Sequence, residues 1–104
     1  MKRGEVWWAD IPDPIGSRPV VVLTRDVILP TIGGIVVVLV TRTIRDIPTE
    51  VILNRRQGLP TRCVANFDNL LTVPRERLIR LLGACDASKI EEMNRAIKVA
   101  LGVP

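Results

Sequence analysis

The longest hydrophobic run in the chain spans residues 35–40 and contains only β-branched residues and one leucine. No polar residue interrupts either alternating face, which predicts a strand buried on both sides. A buried helix is the alternative for a short hydrophobic run, but the β-branched content and the preceding glycine pair favour a strand. The strand is expected to continue to residue 43, with Thr41 and Thr43 on one face and Arg42 on the other, where the chain leaves the core.

Shorter segments of similar character predict a mainly β fold. Further strands are expected at residues 3–11, 18–24, 50–53 and 81–85, with proline and glycine clusters between them. Residues 61–65 and 68–72 predict either one bent strand or two short strands. One or two helical turns are expected at residues 74–79, because proline is favoured at the first position of a helix.

The clearest helix lies at the C-terminal end. Either Asp86 or Ser88 is expected to cap its start, with Ser88 and Glu91 forming a capping box, and Gly102 is expected to end it. Its predicted core-facing stripe consists of Ile90, Met93, Ile97 and Leu101. Short strands followed by one helix predict a single domain over residues 1–104, a small β-barrel-like fold with a C-terminal α-helix.

Charge adds a candidate partner to this picture. The net charge is +4, and twelve of the fifteen basic residues are arginine. Arginine binds two phosphate oxygens at once, which makes nucleic acid a candidate partner. A GC-rich genome explains the arginine content equally well, so composition leaves both interpretations open. The hydrophobic fraction of 47% is high for a lone small domain and suggests an oligomer interface.

Residue types that are rare or missing exclude several kinds of chemistry. The chain has no histidine, which excludes histidine acid–base catalysis and most zinc sites. Its two cysteines match no metal-binding spacing, so neither a metal nor a cofactor is expected. No hydrophobic run approaches the ~20 residues that cross a bilayer, and the N-terminal residues do not form a signal peptide. We therefore expect a cytoplasmic protein with reduced thiols and no membrane contact.

Candidate functional residues lie where the predicted strands end. Arg18, Thr41, Arg42 and Asp68 all occupy such positions, where a rigid scaffold can hold a site. Each also has an ordinary explanation, as a surface cation, a threonine chosen for β-propensity, or an aspartate in a turn. The two adjacent tryptophans should face opposite sides of the first strand, one in the core and the other against a nucleobase or a partner.

Several segments together give the chain a family resemblance. The segments "RGEVWWAD" at the start, "GSRPVVVL", "VT" at residues 40–41, "IPTEV" and "DNL" follow one another in the order and approximate spacing of the MazF/PemK toxin family. No single segment is specific, but the ordered set covers residues 3 to about 102. The resemblance implies an SH3-like β-barrel of the MazF/Kid/CcdB type that forms a homodimer and cuts single-stranded RNA without a metal.

The resemblance also implies roles for individual residues. Arg18 and Thr41 match the family's catalytic pair, and Asp68 matches an acidic residue of the PemK branch. That branch also uses a histidine, which this chain lacks, so its full arrangement is absent. RNA contacts are expected from the residues flanking the pair, namely Ser17, Arg42, Thr43 and Arg45. Family members commonly carry a longer insert before the arginine, so the RNA sequence that is cut does not transfer.

The resulting hypothesis is the toxin of a type II toxin–antitoxin system. It predicts sequence-selective, metal-independent cleavage of single-stranded RNA by the ribose 2′-hydroxyl, leaving a 2′,3′-cyclic phosphate and a 5′-hydroxyl. A MazE-like antitoxin is the expected partner over the RNA groove, and DNA is expected to be contacted only through the antitoxin complex. The alternatives are a non-catalytic CcdB-type toxin that binds DNA gyrase and an inactive nucleic-acid-binding module.

Overall fold

The computed structural model describes residues 1–104 as six strands and one helix. The strands are β1 (Glu5–Ala9), β2 (Arg18–Val22), β3 (Gly34–Thr41), β4 (Glu50–Leu53), β5 (Cys63–Pro74) and β6 (Leu78–Ala84), and the helix is α1 (Ala87–Leu101). Two short 3₁₀ turns lie at Arg55–Gln57 and Arg75–Arg77. None of the helical segments has the length and hydrophobicity that a membrane-spanning helix requires.

The six strands form one antiparallel sheet in the order β4-β5-β3-β2-β1-β6. The strand built from the long hydrophobic run, β3, lies inside this sheet and pairs with β2 on one side and β5 on the other. It ends at Thr41, two residues earlier than predicted. The mainly β architecture with a C-terminal helix is the one predicted.

Both faces of β3 are covered, as its hydrophobic pattern predicts. Val38 and Val40 belong to a cluster of 13 buried residues that also contains Met93 of α1; we call it the helix-side cluster. Ile35 and Val37 belong to a second cluster of nine buried residues, the far-side cluster. Val36 is the exception within the run, since it is 37% exposed. The prediction of a strand buried on both sides is otherwise confirmed.

A glycine contact brings the two ends of the sheet together and gives it its barrel-like shape. The 3₁₀ turn that follows β4 packs against β6, the strand at the opposite edge. A Cβ atom at Gly83 of β6 would lie 2.2 Å from the backbone oxygen of Gln57, and one at Gly58 would lie 2.0 Å from that of Leu82. Neither position has room for a side chain, so the two backbones meet directly.

Strand β5 is one long strand with an irregularity, which confirms the bent-strand alternative. Val38 of β3 pairs with Leu70 of β5, but the next residue of β3, Leu39, pairs with Asn66. Residues 67–69 of β5 therefore have no partner on β3 and form a bulge. The prediction for residues 74–79 is wrong in part. The helical turn ends at Arg77, and Leu78 already belongs to β6, where it pairs with Ala9.

The ends of α1 correct two further predictions. Asp86 is the N-cap, and its side chain accepts a hydrogen bond from the backbone N–H of Lys89 at 2.9 Å. Ser88 therefore lies within the helix, and the capping box predicted with it is wrong. Leu101 is 60% exposed, so it is not part of the core of this chain. Gly102 ends the helix in a left-handed conformation, with φ +68°, as expected.

Candidate active site

The pairing of β2 with β3 brings Arg18 and Thr41 to the same place. Val20 lies opposite Leu39, and Val21 lies opposite Val38. The observed pairs end at Val20 and Leu39; because β2 begins at Arg18 and β3 ends at Thr41, the same register extended by two residues sets these two strand ends opposite each other. Opposite residues of an antiparallel pair share a face of the sheet. Two residues 23 positions apart in sequence therefore become neighbours at the rim of the barrel.

The two residues line one cavity of about 430 Å³. Ser17 and Arg42 belong to the same wall, so four of the seven site residues expected from the sequence meet here. Apolar walls come from the other strands and from the loop after β4, including Trp8, Leu59 and Leu82. A volume of this size falls within the range of small-ligand sites, and it has room for a nucleotide.

The guanidinium of Arg18 is half-buried and incompletely bonded. One terminal nitrogen, Nη2, donates to the backbone oxygen of Ile15 at 2.5 Å. The Nε atom is buried and has no hydrogen-bond partner. A buried donor without an acceptor costs free energy, and an anionic oxygen is the acceptor that a guanidinium binds most strongly. The Arg18 side chain lines the cavity, and its Nη1 atom, which makes no hydrogen bond within the chain and is not buried, is the donor that it offers to a phosphate group there.

The hydroxyl of Thr41 is oriented by the chain that follows it. Its Oγ1 accepts a hydrogen bond from the backbone N–H of Thr43 at 3.2 Å. A hydroxyl that accepts one bond keeps its own proton for donation. Thr41 can therefore donate to an oxygen atom in the cavity while its position is held by the backbone.

The other predicted residues do not line the cavity. Asp68 is exposed in the bulge of β5, and its Oδ2 accepts a hydrogen bond from the hydroxyl of Thr49 at 2.8 Å. Thr43 and Arg45 are exposed in the loop that begins at Arg42. The structure thus gathers four of the expected residues around the cavity and leaves Asp68, Thr43 and Arg45 outside its lining.

Among the other cavity residues, the sequence left the position of Trp8 open and did not indicate Arg80. Trp8 lines the cavity, whereas Trp7 packs against the far-side cluster, so the tryptophans do diverge as predicted. The register explains the position of Trp8, which lies opposite Pro19 on β2 and opposite Arg80 on β6. Arg80 also lines the cavity. Nothing in its sequence neighbourhood indicates this, because its position follows only from the pairing of β1 with β6.

The cysteines are buried thiols. Burial raises the pKa of Cys63, an effect that the nearby positive charge of Arg42 partly opposes. Burial also raises the pKa of Cys85, to about 11. Both thiols are therefore protonated at neutral pH, and neither supplies a thiolate nucleophile there. No group of three or more histidine, cysteine or acidic residues is arranged to hold a metal ion.

Comparisons with known proteins point to one family. Residues 2–101 match the model described as "PemK-like, MazF-like toxin of type II toxin-antitoxin system". The relative named "Probable endoribonuclease MazF2" from Mycobacterium tuberculosis is 39% identical over 103 residues, which cover 98% of this chain and 99% of that protein. "Probable endoribonuclease MazF5" of the same species is 36% identical over 100 residues, covering 95% and 91% of the two chains.

Solved structures give the same result. "Mycobacterium tuberculosis toxin MazF-mt6" superposes with a TM-score of 0.90 at 31% identity, covering 96% of this chain and 98% of that one. A second structure, "Endoribonuclease in complex with its cognate antitoxin from Mycobacterial species", has a TM-score of 0.88 at 30% identity and covers 100% of this chain and 97% of its own. The sheet order and the C-terminal helix described above are thus those of solved toxin structures.

Proposed function

Because the chain belongs to the PemK-like, MazF-like toxin family and is an endoribonuclease, we propose that it cuts single-stranded RNA in the cavity between Arg18 and Thr41. One observation carries this assignment. The half-buried guanidinium of Arg18 and the hydroxyl of Thr41, which is oriented by the backbone, belong to neighbouring strand ends that line the same cavity. Both groups are donors, and a phosphodiester offers only acceptor oxygens.

The reaction we propose is an internal transfer to the ribose 2′-oxygen. The 2′-hydroxyl loses its proton and forms a bond to phosphorus, the bond from phosphorus to the 5′-oxygen breaks, and that oxygen takes up a proton. The products are a 2′,3′-cyclic phosphate and a 5′-hydroxyl. Negative charge builds up on the non-bridging oxygens during the transfer, so donors aimed at them lower the barrier.

Arg18 and Thr41 have separate tasks in this scheme. Arg18 binds a non-bridging oxygen and stabilises its growing charge, because the guanidinium is a positively charged hydrogen-bond donor. Thr41 donates its hydroxyl proton as a hydrogen bond and orients the phosphate. Asp68 accepts from Thr49 outside the cavity lining, and that contact supports a role in holding the adjacent loop rather than in proton transfer.

RNA binding is assigned to the residues around the pair. Ser17 and Arg42 line the cavity, while Thr43 and Arg45 continue outward along the loop. The net charge of +4 attracts the RNA backbone, and the two arginines extend the basic surface away from the scissile phosphate. A metal ion is not needed in this scheme, since the guanidinium supplies the positive charge.

The partners follow from the family. A structure of a mycobacterial endoribonuclease contains its cognate antitoxin, and we propose that a MazE-like antitoxin covers the RNA-binding cavity of this chain. We also propose a homodimer in the cytoplasm that contacts DNA only through the antitoxin complex. The relatives reported above are named endoribonucleases, so the gyrase-binding and inactive alternatives receive no support from them.

The test is cleavage of a long RNA of mixed sequence in the presence of EDTA. Primer extension maps the cut sites, and the ends are then identified by labelling with polynucleotide kinase. We expect cuts at a recurring short sequence, with new 5′ ends that accept phosphate without prior phosphatase treatment. Intact RNA at high enzyme concentration, or cuts that leave a 5′-phosphate, would contradict the proposal.

A further inference from the structure

The loop at residues 42–49 carries three of the proposed RNA contacts and is held by a carboxylate. It leaves β3 after Thr41 and joins β4 at Glu50, and residues 42–48 are all exposed. Such a loop has few apolar contacts to fix it, so its shape depends on hydrogen bonds. Its position decides where the guanidinium groups of Arg42 and Arg45 lie relative to the cavity.

Glu50 supplies two of these hydrogen bonds. Its Oε1 accepts the backbone N–H groups of Arg45 and Asp46, each at 2.9 Å. Asp46 has a φ of +56°, the left-handed region that residues other than glycine rarely adopt. Two N–H groups on one ionised oxygen form a strong contact and hold the backbone in this uncommon conformation.

The negative charge of Glu50 is directed at the backbone and not at the nearby cations. Its second oxygen, Oε2, is buried and has no partner. None of the salt bridges in the structure involves Glu50, Arg42 or Arg45. The two guanidinium groups therefore stay free to bind an external anion, although a carboxylate lies at the base of their loop.

Further tethers connect the loop to the sheet. At its start, the backbone N–H of Thr43 donates to the hydroxyl oxygen of Thr41. At its end, the Thr49 hydroxyl donates to Asp68, and the Thr49 backbone oxygen accepts the N–H of Phe67 at 2.8 Å. Glu50 fixes the middle of the loop between these anchors, so the loop is secured along its length.

We propose that Glu50 is a positioning residue that presents the arginines of this loop to RNA. The proposal rests on the function assigned above, and it assigns Glu50 to substrate binding and not to the chemical step. Loss of the carboxylate releases Arg45 and Asp46, so the loop must be ordered again when RNA binds. That ordering weakens binding, whereas Arg18 and Thr41 keep their places on the strands.

The test compares Glu50→Ala with Glu50→Gln on a short RNA that contains a site mapped by primer extension. We expect Glu50→Ala to raise KM about tenfold, as expected for the loss of charge-assisted hydrogen bonds, with kcat within about twofold of the parent. Glu50→Gln keeps an oxygen that can accept both N–H groups, so its KM should stay within about threefold. Glu91→Ala, an exposed change on α1, is the matched control.

A second pair of variants tests the same loop with Glu50 left in place. Asp46→Val disfavours the left-handed backbone, so it should raise KM as Glu50→Ala does, whereas Asp46→Gly accepts that backbone and should leave KM unchanged. An unchanged KM in Glu50→Ala and Asp46→Val, or a fall in kcat alone, would overturn the inference. Absence of cleavage by the parent protein would instead contradict the proposed function itself.

Discussion

The interior of β3 and the loop that follows it are stabilised in different ways. Residues 35–40 are hydrophobic, and most of them are buried in one of the two clusters. Residues 42–48 are exposed and mostly polar, and they are held by a few hydrogen bonds. The first region gains its stability from apolar burial, and the second depends on a few directed contacts.

Unpartnered polar atoms mark the difference most clearly. Two buried side-chain atoms lack a partner, the Nε of Arg18 and the Oε2 of Glu50. Both flank the end of β3, one across the sheet from Thr41 and the other at the end of the following loop. Folded proteins rarely leave such atoms unsatisfied, and exceptions call for an explanation such as a ligand site. The rim of the barrel therefore gives up some stability at the positions where we assign function.

The largest predicted loss of stability follows from disturbing the packed region. Gly83→Ala places a methyl group against the backbone of Gln57, which must move, so the contact that brings β6 to the turn after β4 is weakened. We expect a loss of about 2 kcal/mol or more, which corresponds to a fall in Tm of roughly 10 °C. Thermal unfolding followed by circular dichroism measures this change.

Gly33→Ala is the matched control for this variant. No atom lies within 4 Å of a Cβ at Gly33, so its Tm should stay close to that of the parent. Gly33→Ala should also cleave RNA at the rate of the parent, because Gly33 does not line the cavity. Equal Tm values for the two variants would show that the glycine contact does not support the barrel.

A smaller effect is expected from the buried thiol of Cys85. Its pKa is raised from 9.0 to about 11 by burial, so the folded state keeps a proton that the unfolded state loses. Stability from this group is fully present below pH 9 and is lost as pH rises toward 11, by about 2 kcal/mol at most. Urea unfolding under reducing conditions measures the free energy of unfolding of the parent and of Cys85→Ala. The difference between the two values should fall as pH rises from 9 to 11.

The control is the same comparison of unfolding free energies at lower pH. Between pH 6 and pH 8 both thiols are protonated, so the difference in stability between the parent and Cys85→Ala should not depend on pH. A difference that stays constant from pH 8 to pH 11 would mean that Cys85 has an ordinary pKa. Such a result would contradict the burial of the Cys85 thiol in the helix-side cluster.

Much of the fold could be predicted because the hydrophobic pattern is clear in β3, the strand inside the sheet. The β-branched run predicted β3 and its buried faces, and Gly102 predicted the end of α1, whereas the start of α1 was left open between Asp86 and Ser88. The prediction failed at Leu78, where one proline suggested a longer helical turn but pairing with β1 continues the sheet. Local propensity is a weak guide when a neighbouring strand supplies the hydrogen bonds.

The candidate site was predictable only in part. The family resemblance selected Arg18 and Thr41, and the register of β2 and β3 places them together. Arg80 and the carboxylate contacts of Glu50 could not be predicted, because they depend on strand pairing and on the path of a loop between distant residues. Sequence pattern predicts elements well, but contacts across elements require the three-dimensional structure.

In the proposed reaction, Arg18 and Thr41 act on the same phosphate. The most direct test is the single-turnover rate of RNA cleavage in EDTA for Arg18→Ala, Thr41→Val and the double variant, each shown to be folded by its Tm. We predict that each single change lowers the rate about 100-fold or more, and that the double variant loses far less than the product of the two. Rates near that of the parent for both single variants would contradict the account.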